Sequence, residues 1–240
     1  MDTIKVVTLN LAPRRFFHFR SAFYYQSLAI KSFIEWNKPD IILTQDLKDW
    51  MLPYLDFISK DYAFYGRSHN GKHKNSDYRN CVMFFKSKFS FIKGSNIPLK
   101  SSCMTCVQLE LNKTHQSILF CTTHFKNMYD SKQDAQIVFD TLNTIPPLTP
   151  IILGGNDPVY HKLDNTLSNL RFKTLPQEPI SYLQDLIHRS SSQYRPKDCL
   201  YASHHFTLKD SHLIKSMYTG SFPSSSIPMW MEVSLPLKEI

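Results

Sequence analysis

Four apolar runs in the chain end in polar residues. Asn10 follows Ile4 to Leu9, Gln45-Asp46 follows Ile41-Ile42-Leu43, Thr122-Thr123-His124 follows Ser117 to Cys121, and Asn156-Asp157 follows Ile151-Ile152-Leu153. Runs of this kind read as buried strands, and α/β folds build sites where strand ends from distant parts of the chain converge. An amide, a carboxylate and an imidazole brought together there could hold a divalent cation and a phosphate. Asp46 offers the hard oxygen that Mg2+ prefers. Asn10 and His124 would donate hydrogen bonds to phosphoryl oxygens. Plainer readings stand beside these: Asn10 as a turn residue, Asp46 as a partner of Lys48, and His124 as a satisfied core histidine. Gly154-Gly155 reads as a tight turn after the Ile151-Ile152-Leu153 strand, and Asn156-Asp157 reads equally as an ordinary turn that follows it.

Two basic segments could meet a polyanion. Arg14-Arg15-Phe16-Phe17-His18-Phe19-Arg20 mixes cations with aromatic rings, the composition that holds phosphates and stacks bases, and also that of a solvated loop with its rings packed inward. Residues 66–80 are polar and basic, with Lys72 and Lys74 at their centre, and read as a surface loop. Cys103 and Cys106 have the spacing of half a zinc knuckle, but no second pair follows, so a strand is the better reading.

The elements that must position these residues alternate between strand and helix. Ile4 to Asn10 reads as the first strand. Ser21 can cap a helix whose apolar side is Ala22, Tyr25, Ala29, Ile30, Phe33 and Ile34, and Pro39 ends that pattern. Cys81 to Phe85 is a strand, and Met104 to Leu111 with Ser117 to Cys121 forms a hairpin turning through Asn112-Lys113-Thr114. Ser131 starts a second helix with Ala135, Val138, Phe139 and Leu142 on one face. Asp198 to Ser203 and Met229 to Leu235 are the last strands, with a short helix expected around Leu163 to Leu170. Strands interleaved with two clear helices imply a layered α/β domain, and no internal boundary divides residues 1–240.

The chain has 240 residues, 42% of them hydrophobic, enough for one large core. Lys and Arg outnumber Asp and Glu by 28 to 20, a net charge of +8, which favours a polyanionic partner such as nucleic acid or a phosphorylated ligand. Five cysteines lack scaffold spacing and read as free thiols of a reducing compartment. With no signal-like segment after Met1 and no apolar run near the length a bilayer demands, the expectation is a soluble intracellular protein of cytoplasm or nucleus, without membrane contact.

The motifs, in order, resemble the endonuclease/exonuclease/phosphatase superfamily along nearly the entire chain. Val7-Thr8-Leu9-Asn10 is similar to its opening strand, and Pro39-Asp40-Ile41-Ile42-Leu43-Thr44-Gln45-Asp46 to its segment ending in Gln-Glu. Asn80-Cys81-Val82-Met83-Phe84-Phe85-Lys86 resembles a strand of the deadenylase and nocturnin branch. Thr123-His124-Phe125 stands at its Thr-His-Leu, and Ile151 to Gly155 at the strand before its Gly-Asp-Phe-Asn. Asp198-Cys199-Leu200 stands at its Asp-Tyr-Ile, and Phe222 to Pro228 at its Phe-Pro-Ser-Asp-His segment. The resemblance implies a two-sheet α/β sandwich flanked by helices, a Mg2+ site at Asp46, and site positions at Asn10, His124, Asn156, Asp198 and Ser226. It also brings RNA or adenine nucleotides forward as ligands.

Several of those positions depart from the family. Asn156 replaces the Asp of Gly-Asp-Phe-Asn, Pro158 replaces the following Asn, and Ser225 and Ser226 replace Asp and His. Asp46 is one methylene shorter than Glu. By the family's mechanism the lost Asp and His orient and deprotonate the attacking water, which neither an amide nor a hydroxyl can do near neutral pH. The expectation is therefore a catalytically impaired member, with Mg2+ weakly bound or absent. Its former active-site cleft would bind nucleic acid, nucleotide or protein. The alternatives are an active Mg2+-dependent phosphodiesterase in which Asp157 or His161 has taken over as base, and a structural interaction protein.

Overall fold

The computed structural model describes residues 2–12, 19–66, 79–100, 102–125, 131–156, 172–174, 198–221, 223–224 and 228–236. Two six-stranded sheets face each other. The first contains β1 (Thr3–Asn10), β2 (Ile41–Leu47), β3 (Tyr62–Tyr65), β4 (Arg79–Phe85), β11 (Thr207–Leu213) and β12 (Met229–Ser234), in the order β11-β12-β1-β2-β4-β3. The second contains β5 (Phe89–Pro98), β6 (Cys103–Leu111), β7 (Ser117–His124), β8 (Ile151–Asn156), β9 (Phe172–Thr174) and β10 (Asp198–Ser203), in the order β5-β6-β7-β8-β10-β9. Helix α1 (Phe19–Asn37) lies between β1 and β2 in sequence, and α3 (Ser131–Asn143) between β7 and β8. A 3-10 turn at Asp49–Leu55 and the four-residue α2 (Asp56–Ser59) follow β2.

Why the central strands read as unbroken apolar runs is clear from their two faces. In β1, Ile4 and Val6 enter the layer between the sheets, packing with Ile41, Leu43, Val107, Phe120, Ile152 and Leu200. Val7 and Leu9 point the other way, under Phe23, Ile30 and Phe33 of α1. On the far side, Cys121, Leu153 and Tyr201 pack under Val138 and Leu142 of α3. Each helix-linked pair, β1 with β2 and β7 with β8, is parallel, as a crossover helix requires. All four of these strands therefore bring their C-terminal ends to the same end of the sandwich.

The expected sandwich is present, and so is the strand expected at Cys103 and Cys106, with three local corrections. Helix α1 begins at Phe19, so Ser21 lies inside it, and the inward phase runs through Phe23 while Tyr25 is 59% exposed. Gly154 and Gly155 are strand residues of β8, not a turn after it. Cys103 and Cys106 sit on β6 an odd number of residues apart, so they face opposite sides of the sheet and share no ligand. Edge strands β5 and β11 escape a periodicity reading: β11 exposes polar residues, and β5 exposes Ser90, Phe91, Ile92 and Lys93 in succession with no alternation. The hairpin through Asn112-Lys113-Thr114 forms as expected between β6 and β7. The helix expected near residues 163–170 lies outside the described residues. Among the described residues no helix is long and apolar enough to cross a membrane.

Candidate functional site

Alternation along the strands sets the floor of the site. Thr8 and Asn10 share the inward face of β1, Gln45 that of β2, Thr122 and His124 that of β7, and Asp198 that of β10, so polar side chains replace the apolar core at one end of the sandwich. The register ties them together: Asn10 pairs with Gln45, His124 with Asn156, and Asp198 with Asn156. Across the two sheets, Thr8 Oγ1 donates to Asp198 Oδ2 at 3.4 Å and Gln45 Nε2 donates to Thr122 Oγ1 at 3.0 Å. Asn10, Asp46, His124 and Asp198 are all buried, at 4%, 7%, 8% and 1% exposure.

Asp46 reaches the site only through an irregular backbone. In a regular strand it would face α1, as Ile42 does. Instead the β2–β4 register shifts between Thr44 and Leu47, and Asp46 has φ +56. The bulge leaves both Gln45 and Asp46 on the site side, at a cost of roughly 1–2 kcal/mol for a left-handed non-glycine residue. Asp46 Oδ2 then lies 3.4 Å from His124 Nδ1, with both side chains 10% exposed. The carboxylate meets this imidazole rather than Lys48. Ser102 Oγ donates to the His124 carbonyl and holds the end of β7 from the other side.

A residue that sequence reasoning missed anchors the last loop. Ser224 Oγ accepts from Asn10 N at 2.9 Å and donates to Asn10 O at 3.1 Å, across 214 residues of sequence. Asn10 Oδ1 in turn accepts from Ala12 N at 2.9 Å, and Gln26 Nε2 of α1 donates to Pro223 O at 3.4 Å. Residues 223–224 are thus pinned beside Asn10, two positions before Ser226. The only signal in the sequence is the Pro-Ser pair itself, which marks a turn without naming its partner. Ser224→Ala strands a buried N–H and a buried C=O, so it should cost about 1–3 kcal/mol in urea unfolding. A loss within 0.5 kcal/mol of zero would contradict the anchoring role.

Of the sequence-predicted residues, Asn10, Asp46, His124 and Asp198 come together, with Asn156 beside the last two in register. Ser226, Arg14, Arg15, Lys72 and Lys74 lie outside the described residues, as do Asp157 and His161, and Arg20 falls in the first turn of α1. Two buried carboxylates stand at the site, Asp46 and Asp198, the kind of hard-oxygen ligand that Mg2+ takes in ones or twos together with a phosphate. Asp46 Oδ2 lies 3.4 Å from His124 Nδ1 with no hydrogen bond between them, and Asp198 Oδ2 accepts from Thr8. Gln45 Oε1, a buried acceptor without a protein donor among the described residues, carries no charge. Among the described residues no three His, Cys, Asp or Glu side chains group so as to hold a metal ion.

No family model matches the sequence, and no curated protein matches it. Solved structures do match the fold. An endonuclease/exonuclease/phosphatase from Bacteroides vulgatus superposes with TM-score 0.81 at 12% identity, covering 98% of this chain and all of that one. The human Nocturnin catalytic domain, solved with a bound sulfate anion, gives TM-score 0.72 at 15% identity over 98% of this chain and 95% of that one. D. rerio TDP2, solved with a single-strand DNA product, gives TM-score 0.70 at 14% identity over 98% of this chain and all of that one. With its paired six-stranded sheets, its outer helices and its polar residues at the shared strand ends, the chain has the endonuclease/exonuclease/phosphatase fold.

Proposed function

We propose that this chain is a catalytically impaired phosphodiesterase relative that binds a phosphate-bearing ligand, nucleic acid or nucleotide, in the cleft at the strand ends. One observation carries the reading. Asn10, Asp46, His124 and Asp198 gather at that end, while position 156 is Asn and positions 225 and 226 are Ser. The half of the site that grips a phosphate remains, and the half that deprotonates water is replaced by groups that take no proton near neutral pH. Two neighbours in fold support the ligand class, one holding sulfate and one a single-strand DNA product. A net charge of +8 adds attraction for a polyanion. Arg14, Arg15, Arg20, Lys72 and Lys74 are its candidate phosphate contacts. Mg2+ has a weak part in this reading or none.

Fluorescence anisotropy with single-stranded RNA and DNA oligonucleotides tests the ligand class. Affinity should fall with salt, each phosphate contact adding about 0.7 to the log–log slope. Arg14→Ala with Arg15→Ala should lower that slope by about 1.4, and Lys72→Ala with Lys74→Ala by the same amount. A flat salt response, or no binding at low ionic strength, would point to a protein partner instead.

A further inference from the structure

Cys106 on β6 and Cys121 on β7 are direct register partners in an antiparallel pair. Side chains so placed point to one face with Cβ atoms about 4.5–5.5 Å apart, close to the span that a disulfide bridges. Here the face is the outer one, in the apolar cluster beneath α3 with Met104, Leu153, Val138 and Leu142. Cys121 Sγ donates to Cys106 Sγ at 3.1 Å. A shift of about 1 Å would bring the two sulfurs to disulfide bond length. The two thiols differ in access. Cys106 is 5% exposed, the most of the five cysteines, and Cys121 is fully buried. The Cys106 sulfur, and burial after it, push the Cys121 thiol up, so it keeps its proton until a partner takes it.

We propose that Cys106 and Cys121 form a dithiol that a peroxide oxidises to a cross-strand disulfide. The Cys106 sulfur, as thiolate, attacks one oxygen of hydrogen peroxide. An S–O bond forms, the O–O bond breaks, and the departing hydroxide takes up the thiol proton as water. Cys121 then attacks the sulfenic sulfur of Cys106. The S–S bond forms, the S–O bond breaks, and the Cys121 proton leaves with that hydroxide as a second water. Two thiols and one peroxide thus give one disulfide and two waters, the dithiol losing two electrons and the peroxide gaining them. A position this closed suits a small oxidant, and the second sulfur already stands beside the first. The bond staples β6 to β7 one step from the Thr105–Thr122 pair. Thr122 Oγ1 accepts from Gln45 Nε2 at the site floor, and His124 ends the same strand. The inference stands apart from the phosphate-ligand reading.

The test treats the reduced full-length chain in native buffer with graded hydrogen peroxide, then alkylates it for intact mass and peptide mapping. The chain should lose two hydrogens and yield a linked Cys106–Cys121 peptide pair before Cys81, Cys103 or Cys199 is oxidised. The oxidised chain should melt about 6–12 °C above the reduced one, the effect of closing a loop of this length in a chain of this size. In Cys121→Ala the sulfenic acid at Cys106 has no partner, so dimedone should trap it there and little of it in wild type. Should that variant not fold, the wild-type map and the melting shift decide alone. Oxidation of another cysteine first, or a Cys106 and Cys121 that both stay reduced, would overturn the proposal. So would a mapped disulfide that leaves the Tm unchanged or lowers it, or a folded Cys121→Ala chain without the dimedone adduct.

Discussion

The triple substitution Asn156→Asp, Ser225→Asp and Ser226→His should raise phosphodiesterase turnover from background by about 10²–10⁴-fold, the contribution of a positioned general base. The frame to receive the new groups is already built. Position 156 pairs in register with both His124 and Asp198 at the site floor, and residues 223–224 are fixed to Asn10 just ahead of positions 225 and 226. Each single substitution should recover little, because residues that act as one unit are strongly non-additive. Burst and steady-state assays on an RNA oligonucleotide and on a simple aryl phosphodiester would show the gain. A triple variant that binds ligand as tightly as wild type yet stays at background would mean that losing the base is not what silences the cleft.

Gly155→Ala should cost about 3–5 kcal/mol, from overpacking and backbone strain together. A Cβ at Gly155 would lie 2.0 Å from the Thr123 carbonyl oxygen, and φ is +154, where side chains are strained. The obstacle is backbone of the neighbouring strand β7, so nothing flexible can move aside. Gly154 differs. A Cβ there would meet the tips of Leu43 and Leu200 at 2.6 and 2.8 Å, which can shift, so Gly154→Ala should cost less. Gly220, with φ +77 and nothing within 4 Å, isolates the backbone term, and its replacement by Ala should cost about 1–2 kcal/mol. Urea midpoints at constant slope give the ranking Gly155, then Gly154, then Gly220. If Gly155→Ala unfolds within 1 kcal/mol of wild type, the close β7–β8 approach at the site is wrong.

How much of this is legible in the sequence depends on where the information sits. Central strands buried on both faces are continuous apolar runs, so a polar residue at the end of one stands out; Asn10, Asp46 and His124 are visible for that reason. Edge strands such as β11 (Thr-Leu-Lys-Asp-Ser-His-Leu) bury little and blend into loop composition. Gly154-Gly155 reads as a turn because local propensity favours that, whereas a Leu side chain from each sheet and the β7 backbone decide the matter. The bulge at Gln45-Asp46 has no local signature, since it is stabilised by what the extra residue meets in the opposite sheet. Ser224 finds Asn10 across 214 positions, a contact no window along the chain can contain.

The central claim is a cleft that still binds and no longer cleaves. The most direct measurement follows a 5′- and 3′-labelled single-stranded RNA with the wild-type chain, reading bound fraction and product in the same samples, with Mg2+ or with EDTA. The expected result is saturable binding that His124→Ala and Asn10→Ala weaken, with product at the level of a protein-free control in both buffers. Product that accumulates with multiple turnovers, and that His161→Ala or Asp157→Ala abolishes, would contradict it and identify an active enzyme whose base has moved.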